Sequence, residues 1–166
     1  MGVSLTVNGT PVEVRVDGTT SLILALRNEL GLKGTRFGCG GEDCGACMVL
    51  VDSEPKYSCT LQLDDVARKR VTTIEGLNDR LSEVLREAIL AESAGQCGYC
   101  LSGIFVTLHH CISASAQPKY TEVAGALRRH LCRCGANAAI LRAVNRALEL
   151  HRSGSKRCLN SAPKAG

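Results

Sequence analysis

Three cysteines fall within the stretch Phe37-Gly38-Cys39-Gly40-Gly41-Glu42-Asp43-Cys44-Gly45-Ala46-Cys47, and no regular element can aim all three side chains at one point. On a helix they would spread around the axis, and on a strand they would alternate between faces. The segment therefore has to be a loop. Gly38, Gly40, Gly41 and Gly45 allow the positive φ angles and close backbone approach that such a loop needs. Successive N–H groups in a loop of this kind turn inward and form a nest that favours negative charge, thiolate sulfur included. A fourth cysteine, Cys59, follows Cys47 after eleven intervening residues. The chain is built to gather four thiolates, and its neighbouring elements have to serve that loop.

The spacing C-x4-C-x2-C with a more distant fourth cysteine is the plant-type [2Fe–2S] pattern. Structural zinc more typically uses paired C-x2-C or mixed Cys/His sets. A second quartet comprises Cys97-x2-Cys100 and, after thirty-one intervening residues, Cys132-x-Cys134. These cysteines flank expected helices, whose free N–H groups at their N-termini favour thiolates. By ligand type alone the second quartet suits another cluster or a single zinc. Of the ten cysteines, Cys111 and Cys158 remain. Cys111 reads as a small buried hydrophobe on a helix, and Cys158 as a bystander in the tail.

The elements around the quartets follow from periodicity. Val3, Leu5 and Val7 alternate with polar residues, Asn8-Gly9 supplies a turn, and Val12, Val14 and Val16 alternate again, which predicts a hairpin. A short helix follows, capped by Thr20 or Ser21, with Leu22, Ile23, Leu26 and Leu30 on one face and Gly31 at its end. Met48-Val49-Leu50-Val51 reads as a central strand, and Val71-Thr72-Thr73-Ile74 as another. From residue 79 the period changes to that of helices. Four amphipathic helices are expected, carrying Leu81/Val84/Leu85/Ala88/Ile89, Ile104/Phe105/Leu108/Ile112, Val123/Ala124/Leu127/Leu131 (capped by Thr121) and Ile140/Leu141/Val144/Leu148 (capped by Asn137). The expected fold is α+β, with a small mixed domain over 1–78 and an all-α four-helix-bundle domain over 79–151. The tail, 152–166, lacks periodicity and is expected to be disordered or docked on a partner.

Ten cysteines in a secreted chain would suggest a disulfide framework. The segment Met1–Val7 has no basic or apolar leader region and alternates like a strand. No apolar run is long enough to cross a bilayer. The expectation is a cytoplasmic protein with reduced thiols and no membrane insertion, compatible with export alongside a signal-bearing partner. Net charge is +4, with no Trp, two Phe and three Tyr, and the basic residues are scattered, which argues against nucleic-acid binding. His109 and His110 are adjacent on a helix, about 100° apart, so they form no same-face metal pair and read as surface or interface residues. Glu42 and Asp43 suit either solvation or redox-partner docking. Arg133, between two cysteines, is placed to offset cluster charge.

Taken together, the loop of residues 37–47, Gln96-Cys97-Gly98-Tyr99-Cys100, Leu131-Cys132-Arg133-Cys134-Gly135 and Val71-Thr72-Thr73-Ile74-Glu75-Gly76-Leu77 resemble the iron–sulfur subunit of the xanthine oxidase family of molybdenum hydroxylases. The resemblance runs in order over roughly residues 3–150. It implies a plant-ferredoxin-like (β-grasp) N-terminal domain with Cys39, Cys44, Cys47 and Cys59 on one [2Fe–2S] cluster. It implies a four-helix domain with Cys97, Cys100, Cys132 and Cys134 on a second. It further implies a large partner subunit that holds a molybdopterin, with Gln96 and Cys134 close to that pterin. Single electrons would pass from the molybdenum centre to the second quartet, then the first, then an FAD subunit or a haem cytochrome, while the partner hydroxylates an N-heterocycle or aldehyde. Leu101-Ser102-Gly103 and Ala136-Asn137 depart from the commoner family pattern at these positions, where Thr-Pro-Gly and a bulkier residue after Gly135 are frequent. The readings from other classes are a zinc-stabilised interaction module and a stand-alone ferredoxin.

Overall fold

In the computed structural model the described residues are 2–160, with side chains through residue 153. Strands β1 (Val3–Val7) and β2 (Thr10–Val14) form the expected hairpin, in register from Val3 opposite Val14 to Val7 opposite Thr10. Its turn needs positive φ at two successive residues, and Asn8 (50°) and Gly9 (82°) supply it. A one-turn helix α1 (Leu22–Leu24) widens into a π-type turn over Ala25–Glu29, and it buries Leu22, Ile23 and Leu26 across the sheet. Ser21 precedes it, but its side chain makes no cap bond. Strands β3 (Met48–Val51), β4 (Glu54–Tyr57) and β5 (Arg70–Thr72) complete a mixed five-stranded sheet in the order β2-β1-β5-β3-β4. The β1–β5 pair is parallel and the other pairs are antiparallel. This mixed sheet with its crossing helical turn is consistent with the β-grasp expectation.

Strand β4 is not among the elements expected from the sequence. Glu54-Pro55-Lys56-Tyr57 has no apolar alternation, and it forms an edge of the sheet, where a proline and charges are tolerated. Its only advance signal is the tight Asp52-Ser53 turn, where both residues take positive φ (48° and 73°). Strand β5 also begins one residue earlier than expected and ends at Thr72.

Four helices follow: α2 (Arg80–Ala91), α3 (Leu101–Ser113), α4 (Tyr120–Ala126) and α5 (Asn137–Asn160). Helix α3 is the middle of their shared core, with Ile104, Phe105, Val106, Leu108 and Ile112 all buried. Thr121 lies inside the first turn of α4 and does not cap it; Lys119 is the cap residue, without a side-chain bond. Helix α5 runs past the expected boundary at residue 151. Among the residues with described side chains, Leu150 is the last packed on the helical core. The rest of the expected tail, residues 161–166, and the side chain of Cys158 lie outside the described residues. No helix among the described residues is long and apolar enough to cross a membrane.

Strand β3 joins the two halves. Its side chains alternate across the sheet, so Val49 and Val51 enter the core beneath α1 while Met48 and Leu50 enter the helical core. All four are buried, as expected for a strand covered on both faces.

A polar clasp fixes the start of the helical half. Asp79 caps α2, accepting from the Ser82 amide at 2.9 Å and the Ser82 hydroxyl at 2.7 Å. The same carboxylate meets Nε2 of His109 at 2.9 Å. His109, expected as a surface or interface residue, is instead a buried partner of Asp79 on the inner side of α3. Burial raises the Asp79 pKa, but the Ser82 hydroxyl and amide, with His109, outweigh that and leave it below the ordinary 3.8. An Asp79→Ala substitution is expected to cost about 1 kcal/mol, the usual loss for a helix N-cap, in urea unfolding at neutral pH. Because the folded-state pKa is depressed, this contribution is present above 3.8 and disappears as pH falls through the lower folded value. The gap between wild type and variant should close over that acidic range.

Candidate metal centres

The first quartet is assembled by the glycine-rich loop and the segment after β4. Gly40 and Gly45 take φ of 75° and 71°, and Glu42 takes 64°. Gly38 serves a different need, because a Cβ there would collide with the sulfur of Cys44. Gly41 has neither constraint, so not every glycine in the run is demanded by the loop. The backbone N–H groups of Gly41, Asp43 and Cys44 point at the Cys39 sulfur at 3.4, 3.3 and 3.4 Å, and the Cys39 N–H points at the Cys44 sulfur at 3.3 Å. This is the amide nest that the glycine pattern predicted. Cys47 and Cys59 form the floor, packed with Ile23 and Tyr57. The Ser58 hydroxyl donates to the Cys47 carbonyl at 2.6 Å, and the Ile23 N–H donates to the Ser58 carbonyl at 2.9 Å, which ties the floor to α1.

The second quartet gathers at the start of α3 and in the turn before α5. Cys100 precedes the first residue of α3, and Cys132 and Cys134 lie between the end of α4 and Asn137. The Ala136 N–H donates to the Cys132 sulfur at 3.4 Å. Gly98 and Gly135 both take φ of 75°, one in each cysteine turn.

Both quartets combine a rim and a floor. Cys39, Cys97 and Cys134 are exposed, while Cys44, Cys47, Cys59 and Cys100 are buried. The Gly41 amide, followed by that of Cys44, brings the Cys39 thiol down to about 7. The Tyr99 amide, with the Cys134 thiol, lowers Cys97. On the floor, burial foremost pushes Cys47 up to about 12, with Cys59 and Cys44 beside it. Burial likewise pushes Cys100 to about 12, with Cys132 beside it. Thiols of one quartet influence each other in pairs: Cys39 with Cys44, and Cys44 and Cys59 with Cys47, in the first; Cys97 with Cys134 and Cys132, and Cys100 with Cys132, in the second. Cys39 and Cys97 are thereby eased toward the thiolate, whereas Cys47 and Cys100 give up their protons only to a strong Lewis acid.

The donor set fits [2Fe–2S] clusters, with four cysteines per site and amides aimed at sulfur. Among the described residues, no group of three or more His, Cys, Asp or Glu side chains is arranged to hold a single metal ion.

Gln96 and Arg133 lie exposed beside the second quartet. Cys111 is half-buried against the helical core, and burial raises its thiol, so it belongs to neither quartet.

The two quartets touch through their backbones. The Leu131 N–H, one residue before Cys132, donates to the Cys44 carbonyl at 3.0 Å. The Ser102 hydroxyl donates to the Ala46 carbonyl at 3.2 Å, a bond that a proline at this position could not make. The Tyr99 hydroxyl donates to the Phe37 carbonyl, and the Arg36 guanidinium lies 5.8 Å from the Tyr99 ring. Periodicity carried no signal for this contact.

Two family profiles match the chain. One is described as a 2Fe-2S iron-sulfur cluster binding domain and covers residues 5–74; the other is described as a [2Fe-2S] binding domain and covers residues 73–145. One of the subunits of nicotinate dehydrogenase from Pseudomonas putida is 41% identical over 151 residues, which covers 90% of this chain and 96% of that one. The alpha subunit of isoquinoline 1-oxidoreductase from Brevundimonas diminuta is 40% identical over 141 residues, covering 84% and 93%. The structure of quinoline 2-oxidoreductase from Pseudomonas putida 86 matches with a TM-score of 0.82 and 31% identity, covering 93% of this chain and 97% of that one.

The contact between the halves leaves no room at Gly103, where a Cβ would run into the Gly45 carbonyl. Gly103→Ala is expected to lower stability by about 1–3 kcal/mol, as overpacking does. Gly125→Ala, in open space on α4, is expected to be neutral or stabilising by up to about 1 kcal/mol. Guanidinium unfolding of the two variants side by side checks the contrast.

Proposed function

The chain belongs to the [2Fe–2S] small subunits of the xanthine oxidase family of molybdenum hydroxylases, and from that premise we propose that it relays single electrons from a large molybdenum-binding partner to a flavin subunit or a cytochrome. Cys39, Cys44, Cys47 and Cys59 hold one cluster in the ferredoxin-like half. Cys97, Cys100, Cys132 and Cys134 hold the other in a four-helix bundle that forms a second domain. The clusters supply one-electron acceptors whose potentials respond to hydrogen bonding and exposure. Everything else is the work of this chain's own residues.

The observation that carries the reading is the direct bond from the Leu131 N–H to the Cys44 carbonyl at 3.0 Å. It links the loop of one quartet to the residue beside a ligand of the other, which is the arrangement a relay needs. The amides around Cys39 stabilise added negative charge on its sulfur. Exposed Cys39 gives the first quartet a surface outlet, and exposed Cys97 and Cys134 give the second an inlet. By the family resemblance, Gln96 and Cys134 face the partner's pterin, so the helical half is the donor side and the glycine-rich loop the acceptor side. The relatives named above are named for nicotinate, isoquinoline and quinoline, all N-heterocycles. This supports an N-heterocycle as the partner's substrate over an aldehyde.

The test is Cys44→Ser in the assembled complex. The variant is expected to lose one of two reduced-cluster EPR signals and most turnover with the natural acceptor. Substrate should still reduce the remaining signal, since the donor side is intact. Full turnover with the natural acceptor would show that the first quartet is not the outlet. Isolation of the native chain without a large molybdenum-containing subunit would remove the partner from the proposal.

A further inference from the structure

The segment that closes α4 does more than end a helix. It tightens into a 3-10 turn over Leu127–Arg129 and then extends at His130, with φ −113° and ψ 119°. Three consecutive residues then reach the other half of the chain. The Arg129 guanidinium lies 5.3 Å from the Tyr57 ring centre. His130 Nε2 is 2.9 Å from the Thr107 hydroxyl on α3, and its Nδ1 faces Gly45, where a Cβ would collide with it. Leu131 donates to Cys44 as described. Gly45 thus needs to be glycine twice over, for its φ of 71° and for the imidazole beside it.

His130 Nδ1 is buried and has no hydrogen-bond partner. A buried polar atom left unpaired is destabilising, and native chains keep few of them. An apolar side chain would fill the same space without that cost. The ring is wedged between α3 and the Cys44-Gly45 peptide, and it flanks the Leu131–Cys44 backbone bond between the two cysteine loops. On the other side of the contact, Tyr99 and Ser102 tie the Cys97-x2-Cys100 turn to Phe37 and Ala46. His130 occupies the corresponding place beside the Cys132-x-Cys134 turn, packed against Gly45 and not hydrogen-bonded to it.

We infer that His130 is a positioning residue for electron transfer, which, braced by Thr107, fixes the Cys132 turn against the Cys44-Gly45 peptide. The inference rests on the reading above that both quartets carry clusters. Electronic and magnetic coupling between two centres falls steeply with separation, so a small shift of this peptide registers in both.

The test uses the full chain loaded with its clusters and compares wild type with His130→Ala, His130→Gln and Thr107→Val. Gln keeps a polar group near the Nε2 position, and Val keeps the shape of Thr while removing the hydroxyl. Iron and sulfide content is measured first. Both His130→Ala and Thr107→Val are expected to retain wild-type content, to weaken the magnetic splitting between the two reduced-cluster signals, and to slow electron equilibration after flash reduction by about tenfold, within the loss of up to about 100-fold that a 1 Å misplacement produces. His130→Gln is expected to recover both properties. Unchanged splitting and rate in the Thr107→Val chain would overturn the inference, even if His130→Ala failed to assemble. Gln no better than Ala would overturn it as well. A wild-type chain without two cluster signals would instead overturn the two-cluster reading, before any variant is compared.

Discussion

A thiolate is a negative charge, and a chain that gathers four of them in one place has to surround them with N–H groups. That requirement explains most of the first half of this protein. Three amides converge on the Cys39 sulfur, and the Cys39 amide in turn serves Cys44. Such convergence is possible only where the backbone turns through positive φ, as at Gly40 and Gly45, and where a missing Cβ makes room for sulfur, as at Gly38. The sheet and α1 then act as a frame. Ser58 holds the Cys47 carbonyl from one side and binds the α1 backbone from the other, so the floor of the loop cannot move without the sheet.

The second constraint is that the two loops meet. Strand β3 leaves the first loop and sends alternate side chains into both cores, Val49 and Val51 one way and Met48 and Leu50 the other. Helix α3 leaves the second loop and passes so close to the first that position 103 has to be glycine. Neither half is finished without the other. Many family members would carry a proline at position 102; the serine here adds a hydrogen bond across the contact to Ala46. Each quartet has exposed and buried members: Cys47 and Cys59 are buried against Ile23 and Tyr57, and Cys100 in the helical core. An oxidoreductase subunit that handles electrons gains from such an arrangement. Each quartet keeps at least one cysteine at the surface, Cys39 in the first and Cys97 and Cys134 in the second.

Much of this was legible in the sequence because it is local. Cysteine spacing, the glycines among it and the Asn8-Gly9 turn report backbone geometry directly, and the four helices after residue 79 appear as apolar periodicity. What was not legible depends on distant partners. Strand β4 is a polar edge whose assignment comes from pairing with β3 alone. His109 read as a surface or interface residue because its partner, Asp79, is the cap of a different helix, thirty residues away. Thr121 looked like a cap because Thr often is one, yet α4 begins at Tyr120. Nothing local to His130 marks its place against Thr107 and Gly45. Charge and hydrogen-bond complementarity across long sequence separations leave no periodic trace.

The most direct test of the account is iron and acid-labile sulfide analysis of the purified chain, joined to EPR of the dithionite-reduced protein. Two [2Fe–2S] centres predict about four irons and four sulfides per chain and two distinct signals. Zinc without sulfide, and no signal on reduction, would contradict it and make the two quartets structural metal sites.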